Sequence, residues 1–247
     1  MLQNKTVVIT GVSSGIGNCL LLSLIKEGCI VHGTVKTEES KQSVWSELSS
    51  SLSPEQQSAV TLSVCDLRNP SAIEAFARDL HKAKISPDIL ILNAGVGYYG
   101  PHEELSVKEI SELVAVNLTA PLLLSNLFLR DLKKNRGHLL CISSVTAAKN
   151  NNTHGCAYGA TKAGLSSFSK SLFEEVRKHD VRVTVLAPDM TKTNLYRNAT
   201  FCAADDESSS LTPEEVADYA LFALTARDGL NLTELTMQPQ RHRLERK

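Results

Sequence analysis

Short runs of β-branched and leucine residues recur along the chain, and each is followed by a longer stretch with helical spacing of its apolar positions. The runs are Val7 to Thr10, Ile30 to Val35, Val60 to Cys65, Ile89 to Leu92, Leu139 to Ser143, Val181 to Leu186 and Leu232 to Met237. They are apolar throughout rather than alternating with polar residues, as strands must be when helices cover both faces of a parallel sheet. After the first run, Ile16, Leu20 and Leu24 stand four apart and make one apolar helical face. Helix starts are marked by Asn69-Pro70, an N-cap with proline at the first helical position. Ser106-Val-Lys-Glu109 and Thr212-Pro-Glu-Glu215 are capping boxes. The pattern predicts an α/β fold, a doubly wound parallel sheet of about seven strands with helices on both faces.

Three polar stretches interrupt the alternation. Ser46 to Ser58 reads as a loop inside the third βα unit, Lys149 to Gly155 as a second loop, and Ala203 to Leu211 as a third, acidic and serine-rich. None marks a composition shift and no repeat is present, so residues 1–247 read as a single domain.

Composition narrows the partners. An apolar fraction of 42% with 21% charged residues is that of a globular protein, and a net charge of −1 offers no bulk attraction to nucleic acid or to an anionic membrane. A small-molecule partner is expected. No apolar run reaches the roughly 20 residues that a membrane helix needs, and residues 1–6 leave no room for a secretory leader before the first strand. The expected location is cytoplasmic, which makes N-x-[ST] triplets such as Asn151-Asn152-Thr153 incidental. The six cysteines are scattered, with no C-x-x-C pair and no clustered histidine, and four of them fall in segments read as buried helix or strand. Neither a disulfide framework nor a metal site is expected.

Against that background the stretch VVITGVSSGIG, residues 7–17, carries chemistry. A strand leads into Gly11, Gly15 and Gly17, and an amphipathic helix follows. Small residues at a helix N-terminus let a pyrophosphate approach backbone N–H groups; a tight turn with close helix–strand packing is the plainer alternative. The third run ends in Asp66 and the fourth in Asn93-Ala94-Gly95, both at the carboxyl edge of the sheet where ligands of open α/β sheets bind. Asp66 could accept from an adenine amino group or simply cap a turn. Tyr158 and Lys162 stand at i and i+4, on one face of a helix. A free tyrosine titrates near a pH of about 10, and a nearby cation lowers that value and favours proton exchange with a carbonyl oxygen.

Together the T-G-x-x-x-G-x-G of Thr10 to Gly17, the Asn93-Ala94-Gly95 run, Asn117 in VNLTAP, Ser144 in CISSV and Tyr158-x-x-x-Lys162 resemble the short-chain dehydrogenase/reductase family, from residue 5 to about 195. The resemblance implies a Rossmann-type reductase. Its catalytic residues would be Asn117 (holding a water for proton relay), Ser144 (toward the substrate carbonyl), Tyr158 (general acid/base) and Lys162. Its cofactor-binding residues would be Gly11, Ser13, Ser14, Gly15, Ile16, Gly17, Lys36, Asp66, Leu67, Asn93, Ala94, Gly95, Tyr158, Lys162, Pro188 and Thr193. Ser143 competes with Ser144 for the substrate role. The Ser144 to Tyr158 interval of 14 residues is one longer than is common in the family, and the extra residue is placed in the Asn-rich loop. NAD-binding members carry an acid at the end of the second strand; here Val35 and then Lys36 stand there, which favours NADP(H), with NAD(H) possible. Lys36 could otherwise be a solvated surface lysine, and Ser14 supplies no positive charge. Asp189 replaces the glycine of the family's P-G-x-x-x-T, which puts the local backbone in question.

Residues 194–211, with Tyr196 and Phe201, read as a substrate-lid loop, and 239–247 as a basic tail that is disordered or packed on a partner subunit. The expected activity is hydride transfer between NADP(H) and a small carbonyl or alcohol, in a homodimer or homotetramer. A non-catalytic NADP(H)-binding regulator of the same fold is the alternative.

Overall fold

The computed structural model describes residues 2–149, 152–241 and 243–247. Strands β1 (Thr6–Thr10), β2 (Ile30–Val35), β3 (Val60–Val64), β4 (Ile89–Leu92), β5 (His138–Ile142) and β6 (Arg182–Pro188) precede the short β7 (Phe201–Ala203), β8 (Glu234–Met237) and β9 (Leu244–Arg246). Seven of them form one parallel sheet in the order β3-β2-β1-β4-β5-β6-β8. The order reverses between β1 and β4, and a crevice at the carboxyl ends of those two strands is the binding position such a Rossmann-type sheet creates. The expected runs coincide with the strands at β2 and β4 and differ by a residue or two elsewhere. β8 starts later because the Asn231 side chain takes up both the N–H and the C=O of Val183, at 2.9 Å each, where a strand backbone would otherwise pair.

The apolar character of both strand faces has its reason in the helices. On one side, α1 (Gly15–Lys26), α2 (Glu38–Ser51) and α8 (Pro213–Leu224) bury Leu20, Leu24, Leu48 and Ala220 against Val7, Ile9, Ile91 and Leu140. On the other side, α4 (Pro70–Lys82), α6 (Ala120–Asn135) and α7 (Cys156–Val176) bury Phe76, Phe128, Leu132 and Leu172 against Val8, Leu90, Leu139 and Cys141. Alternate strand residues therefore go to different cores, and neither position is free for a polar side chain. Asn69 caps α4 ahead of Pro70. Capping boxes open α5 (Val107–Val114), at Ser106 and Glu109, and α8, at Thr212 and Glu215.

Several expectations give way. Ser46 to Ser58 is not a loop: α2 runs to Ser51, and α3 (Pro54–Ser58) follows a capping box of Ser53 and Gln56. The serines are tolerated because their hydroxyls donate back into the helix, Ser49 to Trp45 O at 2.6 Å and Ser51 to Glu47 O at 2.9 Å, while Val44 and Leu48 bury one face. The segment from Ala203 to Leu211 holds a turn of 3-10 helix at Glu207–Ser209. The described end of the basic tail is ordered, because β9 pairs antiparallel with β7 in a two-stranded ribbon, Phe201 opposite Arg246. A three-residue strand is too short to show a period, and its partner lies far upstream in the chain. Three cysteines are buried (Cys29, Cys65, Cys141), whereas the helical Cys19 and Cys156 are partly buried and exposed. Of the Asn-rich loop, residues 150 and 151 lie outside the described residues, so the position of the extra residue does too. Helix α5, the following π-helical segment and α6 form one run, Val107–Asn135. Among the described residues it alone is long and apolar enough to cross a membrane, and half of its most apolar window is buried inside the fold.

Candidate active site

The carboxyl ends of β1 and β4 are tied to each other before any ligand is considered. Thr10 Oγ1 accepts from the N–H groups of Asn93 and Ala94, both at 3.1 Å, and the Asn93 amide donates to the carbonyls of Thr10 (2.9 Å) and Gly11 (3.0 Å). That packing dictates two of the glycines. A Cβ on Gly17 would collide with the Gly11 carbonyl and the Asn93 amide, and one on Gly11, whose φ is +73°, would lie 2.8 Å from Ala94 Cα. Ser14 is the N-cap of α1, in extended conformation and with its side chain unused in capping. The loop thus presents its backbone to the cleft at the start of a helix.

Farther along the same edge lies a cluster of charges. Lys36, just past β2, pairs with Glu112 of α5 at 3.3 Å, and Arg68 stands 3.8 Å from the same carboxylate oxygen while gripping Asp66 through its Nε at 2.9 Å and 3.0 Å. The Tyr98 hydroxyl donates to the other Glu112 oxygen at 2.9 Å. Burial pushes the Glu112 carboxyl up, yet Tyr98, Lys36 and Arg68 together hold it below its ordinary value. The Arg68 guanidinium likewise holds Asp66 below its own. Lys36 is therefore an exposed lysine at the cleft wall whose ammonium is paired with Glu112.

At the other end, β5 delivers two adjacent serines that the fold treats differently. Ser143 donates to Lys162 O at 3.1 Å and shares a 2.7 Å hydrogen bond with Ser166 inside the core. Ser144 accepts only the Thr146 N–H locally, at 3.2 Å, and its hydroxyl lies against that of Tyr158. Tyr158 and Lys162 sit one turn apart on α7, both buried, with Lys162 Nζ 5.8 Å from the Tyr158 ring centre and donating to Ile142 O at 2.8 Å. The expected fall in the tyrosine's pKa does not occur. Burial pushes Tyr158 up to about 12, against the pull of the Ser144 and Tyr99 hydroxyls, and burial pushes Lys162 down to about 8. Desolvation outweighs the cation here because the ammonium is turned to the Ile142 carbonyl.

Asn117 lies in a π-helical segment, Ala115–Thr119, a widened turn of the kind found at functional sites. Its side chain is fully buried and engaged: Oδ1 accepts from Val96 N at 2.8 Å, and Nδ2 donates to Val96 O at 2.9 Å and Thr161 Oγ1 at 3.3 Å. It holds the loop after β4 in place. After β6, Asp189 takes no positive φ, so its replacement of glycine strains nothing. Its carboxylate accepts from Met190 N at 2.9 Å and Gln238 Nε2 at 3.0 Å and pairs with Lys149 at 3.5 Å. Tyr158, Tyr196 and Phe201 each pack a ring against Tyr99, and the tail strand β9 backs the segment that carries Tyr196 and Phe201, with Lys247 Nζ donating to Tyr196 O at 2.6 Å.

A single cleft of about 260 Å³ gathers these features. Gly11, Ser13, Ser14, Gly15, Ile16, Gly17, Lys36, Asp66, Leu67, Asn93, Ala94, Gly95, Ser144, Tyr158, Lys162, Pro188 and Thr193 all line it; Asn117, which stands behind Val96, does not, nor do Tyr98, Tyr99 and Phe201. Sequence reasoning missed Arg68, Glu112, Tyr98 and Tyr99. Arg68 follows Asp66 by two residues and was open to inspection. Glu112 is in the interior of a helix, where a carboxylate reads as solvated surface.

A family model described as short chain dehydrogenase matches residues 5–201. Among solved structures, an alcohol dehydrogenase from the archaeon Thermococcus sibiricus, complexed with 5-hydroxy-NADP, has a TM-score of 0.85 at 25% identity, covering 98% of this chain and 99% of its own. A metagenomic short-chain oxidoreductase in complex with NADP has a TM-score of 0.79 at 31% identity, covering 96% and 98%. The NADP-dependent 3-hydroxy acid dehydrogenase YdfG of Shigella flexneri is 28% identical over 242 residues, 94% of each chain. With a family match across most of its length and relatives spanning nearly all of it, the chain belongs to the short chain dehydrogenases and is an oxidoreductase.

Proposed function

We propose that the protein transfers hydride between NADP(H) and a carbonyl or alcohol, with Tyr158 as general acid/base. The observation that carries this is one cleft with the glycine turn and Lys36 at one end and the Ser144, Tyr158 and Lys162 side chains at the other. The site suits a dinucleotide: glycines at the β1–α1 turn leave backbone N–H groups open at a helix N-terminus, and Lys36 and Arg68 offer cations where an acid would exclude a 2′-phosphate. Two relatives are named or solved with NADP, which supports the same choice. When bound, the nicotinamide supplies or accepts the hydride.

The chain's own groups do the rest. The Ser144 hydroxyl, free of the core network that occupies Ser143, donates to the carbonyl oxygen. Tyr158, protonated at neutral pH, gives that oxygen its proton, and in the reverse direction takes one from the alcohol. Lys162 stabilises the phenolate left behind, in a buried setting where its charge acts with little screening. Asn117 ties the loop at Val96 to the helix that carries this group, through its bond to Thr161. Purified protein should oxidise NADPH faster than NADH with a carbonyl substrate; no NADPH oxidation across a broad carbonyl panel would leave a binding protein without turnover. A homodimer or homotetramer belongs to the same proposal, checked by sedimentation.

A further inference from the structure

We propose that Glu112 is a cofactor-specificity residue: its carboxylate competes with the 2′-phosphate of NADP(H) for Lys36 and Arg68, and so limits the preference for NADP(H) over NAD(H). The proposal rests on the reading of the cleft as an NADP(H) site and extends it to a residue of α5. Lys36, Asp66, Arg68 and Glu112 all line the cleft, although they come from the end of β2, the loop after β3 and the interior of α5. The sheet edge fixes the backbone beneath the two cations. Gly11 N and Val12 N donate to Thr34 O at 3.0 Å and 3.1 Å, Cys65 N donates to Val35 O at 2.9 Å, and Arg68 N donates to Asp66 Oδ1 at 3.0 Å. The choice of anion is left to the side chains of Lys36 and Arg68.

Within this cluster the Glu112 carboxylate is the enclosed member. Its side chain is 10% exposed, against 52% for Lys36 and 42% for Arg68, so the cations meet it from the rim. Its two oxygens are used differently. Oε2 accepts from the Tyr98 hydroxyl at 2.9 Å, whereas Oε1 faces Lys36 Nζ at 3.3 Å and Arg68 Nη1 at 3.8 Å. Both of the latter distances exceed the roughly 2.7–2.9 Å of a close charge-assisted bond. Arg68 grips Asp66 through Nε and Nη2, which leaves Nη1 outside that fork.

The charges decide the direction of the effect. Two cations face two carboxylates, so the cluster is neutral before a nucleotide arrives. A 2′-phosphate brings about 1.5 to 2 negative charges. It takes up Lys36 Nζ and Arg68 Nη1 only in competition with Glu112 Oε1. What the phosphate gains from the two cations Glu112 loses, and a carboxylate so enclosed recovers little of it from water. NADH has a hydroxyl at the same position and leaves both pairs intact, so the loss falls on NADPH binding alone. The opposite role, a brace that holds the cations in place for the phosphate, has the opposite sign, because removing the carboxylate would then weaken NADPH binding.

The test is the affinity of NADPH and of NADH, read by fluorescence titration, for the wild-type chain and for Glu112→Gln, which keeps an acceptor for Tyr98 and removes the charge. NADPH should bind the variant about tenfold more tightly, the scale of one charged hydrogen bond, while NADH affinity stays within a factor of about two and reports an intact fold. In a chain that also carries Lys36→Gln and Arg68→Gln the gain should vanish. Weaker NADPH binding in Glu112→Gln would make Glu112 a brace and overturn the proposal, as would no change or an equal change for both nucleotides. Should Glu112→Gln not fold, the wild-type chain supplies the reading. Glu112 is the one glutamate that lines the cleft among the described residues, so isotope-labelled glutamate should show a carboxylate shift in the infrared difference spectrum on adding NADPH and none on adding NADH. No shift, or the same shift with both, overturns the proposal. A wild-type chain that does not bind NADPH refutes the NADP(H) reading, and the inference falls with it; NADPH binding that Glu112→Gln leaves unchanged refutes the inference alone.

Discussion

The nucleotide end of the cleft is built from backbone, and the substrate end from side chains. At the first, Thr10 and Asn93 lock two strand ends together through main-chain groups, and Gly17 leaves no room for even one more carbon. At the second, the rings of Tyr158, Tyr196 and Phe201 meet at Tyr99, and the segment that carries two of them is braced by the tail through the β7–β9 ribbon. The difference teaches where variation is tolerated. A backbone lattice admits one solution, whereas a wall of side chains can be rebuilt residue by residue without disturbing the sheet.

The largest effect should come from the point where the two ends meet. Tyr158→Phe should lower kcat by about 100- to 10,000-fold, the range for loss of a general acid, while NADPH affinity by fluorescence titration stays within a factor of about two. Unchanged turnover would detach the phenol from the chemistry. The next concerns the charges at the nucleotide end. Lys36→Asp should shift the NADPH-to-NADH affinity ratio by about tenfold or more toward NADH, since a charge-assisted contact is replaced by a repulsion. An unaltered ratio would mean that Lys36 serves only Glu112. On the lattice itself, Gly17→Ala should destabilise the fold by about 1–3 kcal/mol in thermal or urea unfolding, because the added methyl meets backbone that cannot retreat.

The pH dependence is a milder probe. Lys162, pushed down to about 8, holds its proton below that pH and loses it above, whereas Tyr158, pushed up to about 12, stays protonated across the whole range. Ketone reduction should therefore decline as the pH rises through about 8, and a profile flat to pH 10 would take the ammonium out of the mechanism. The smallest effect should follow removal of the tail after Gln238. A two-stranded ribbon is marginal once one strand is gone, so the ketone KM should rise several-fold while the NADPH affinity holds. Equal losses in both would show that the tail supports the whole cleft.

How much of this was legible depends on how far apart the interacting residues are. The glycine turn, the Asn93-Ala94-Gly95 run and the Tyr158/Lys162 pair are each encoded within a few residues, and all of them line the cleft. The glycines' reason was only partly visible: Gly17 answers to the Gly11 carbonyl and to Asn93 on another strand, a packing demand as much as an opening for phosphate. The serine-rich segment misled because composition alone does not show hydroxyls folded back on a helix. Glu112 was hidden for a different reason, since its partners Lys36, Arg68 and Tyr98 arrive from other elements.

The amino-acid order by itself determined the strands, the helix caps, the parallel sheet and the Tyr158/Lys162 pair on one helix face, because each depends on the spacing of neighbouring residues along one element. Only the tertiary structure gave Ser143 and Ser144 different partners, raised rather than lowered the Tyr158 pKa, paired the tail with β7 and assembled the ring cluster. Those outcomes turn on burial and on contacts between segments far apart in the chain, and no local pattern carries either quantity.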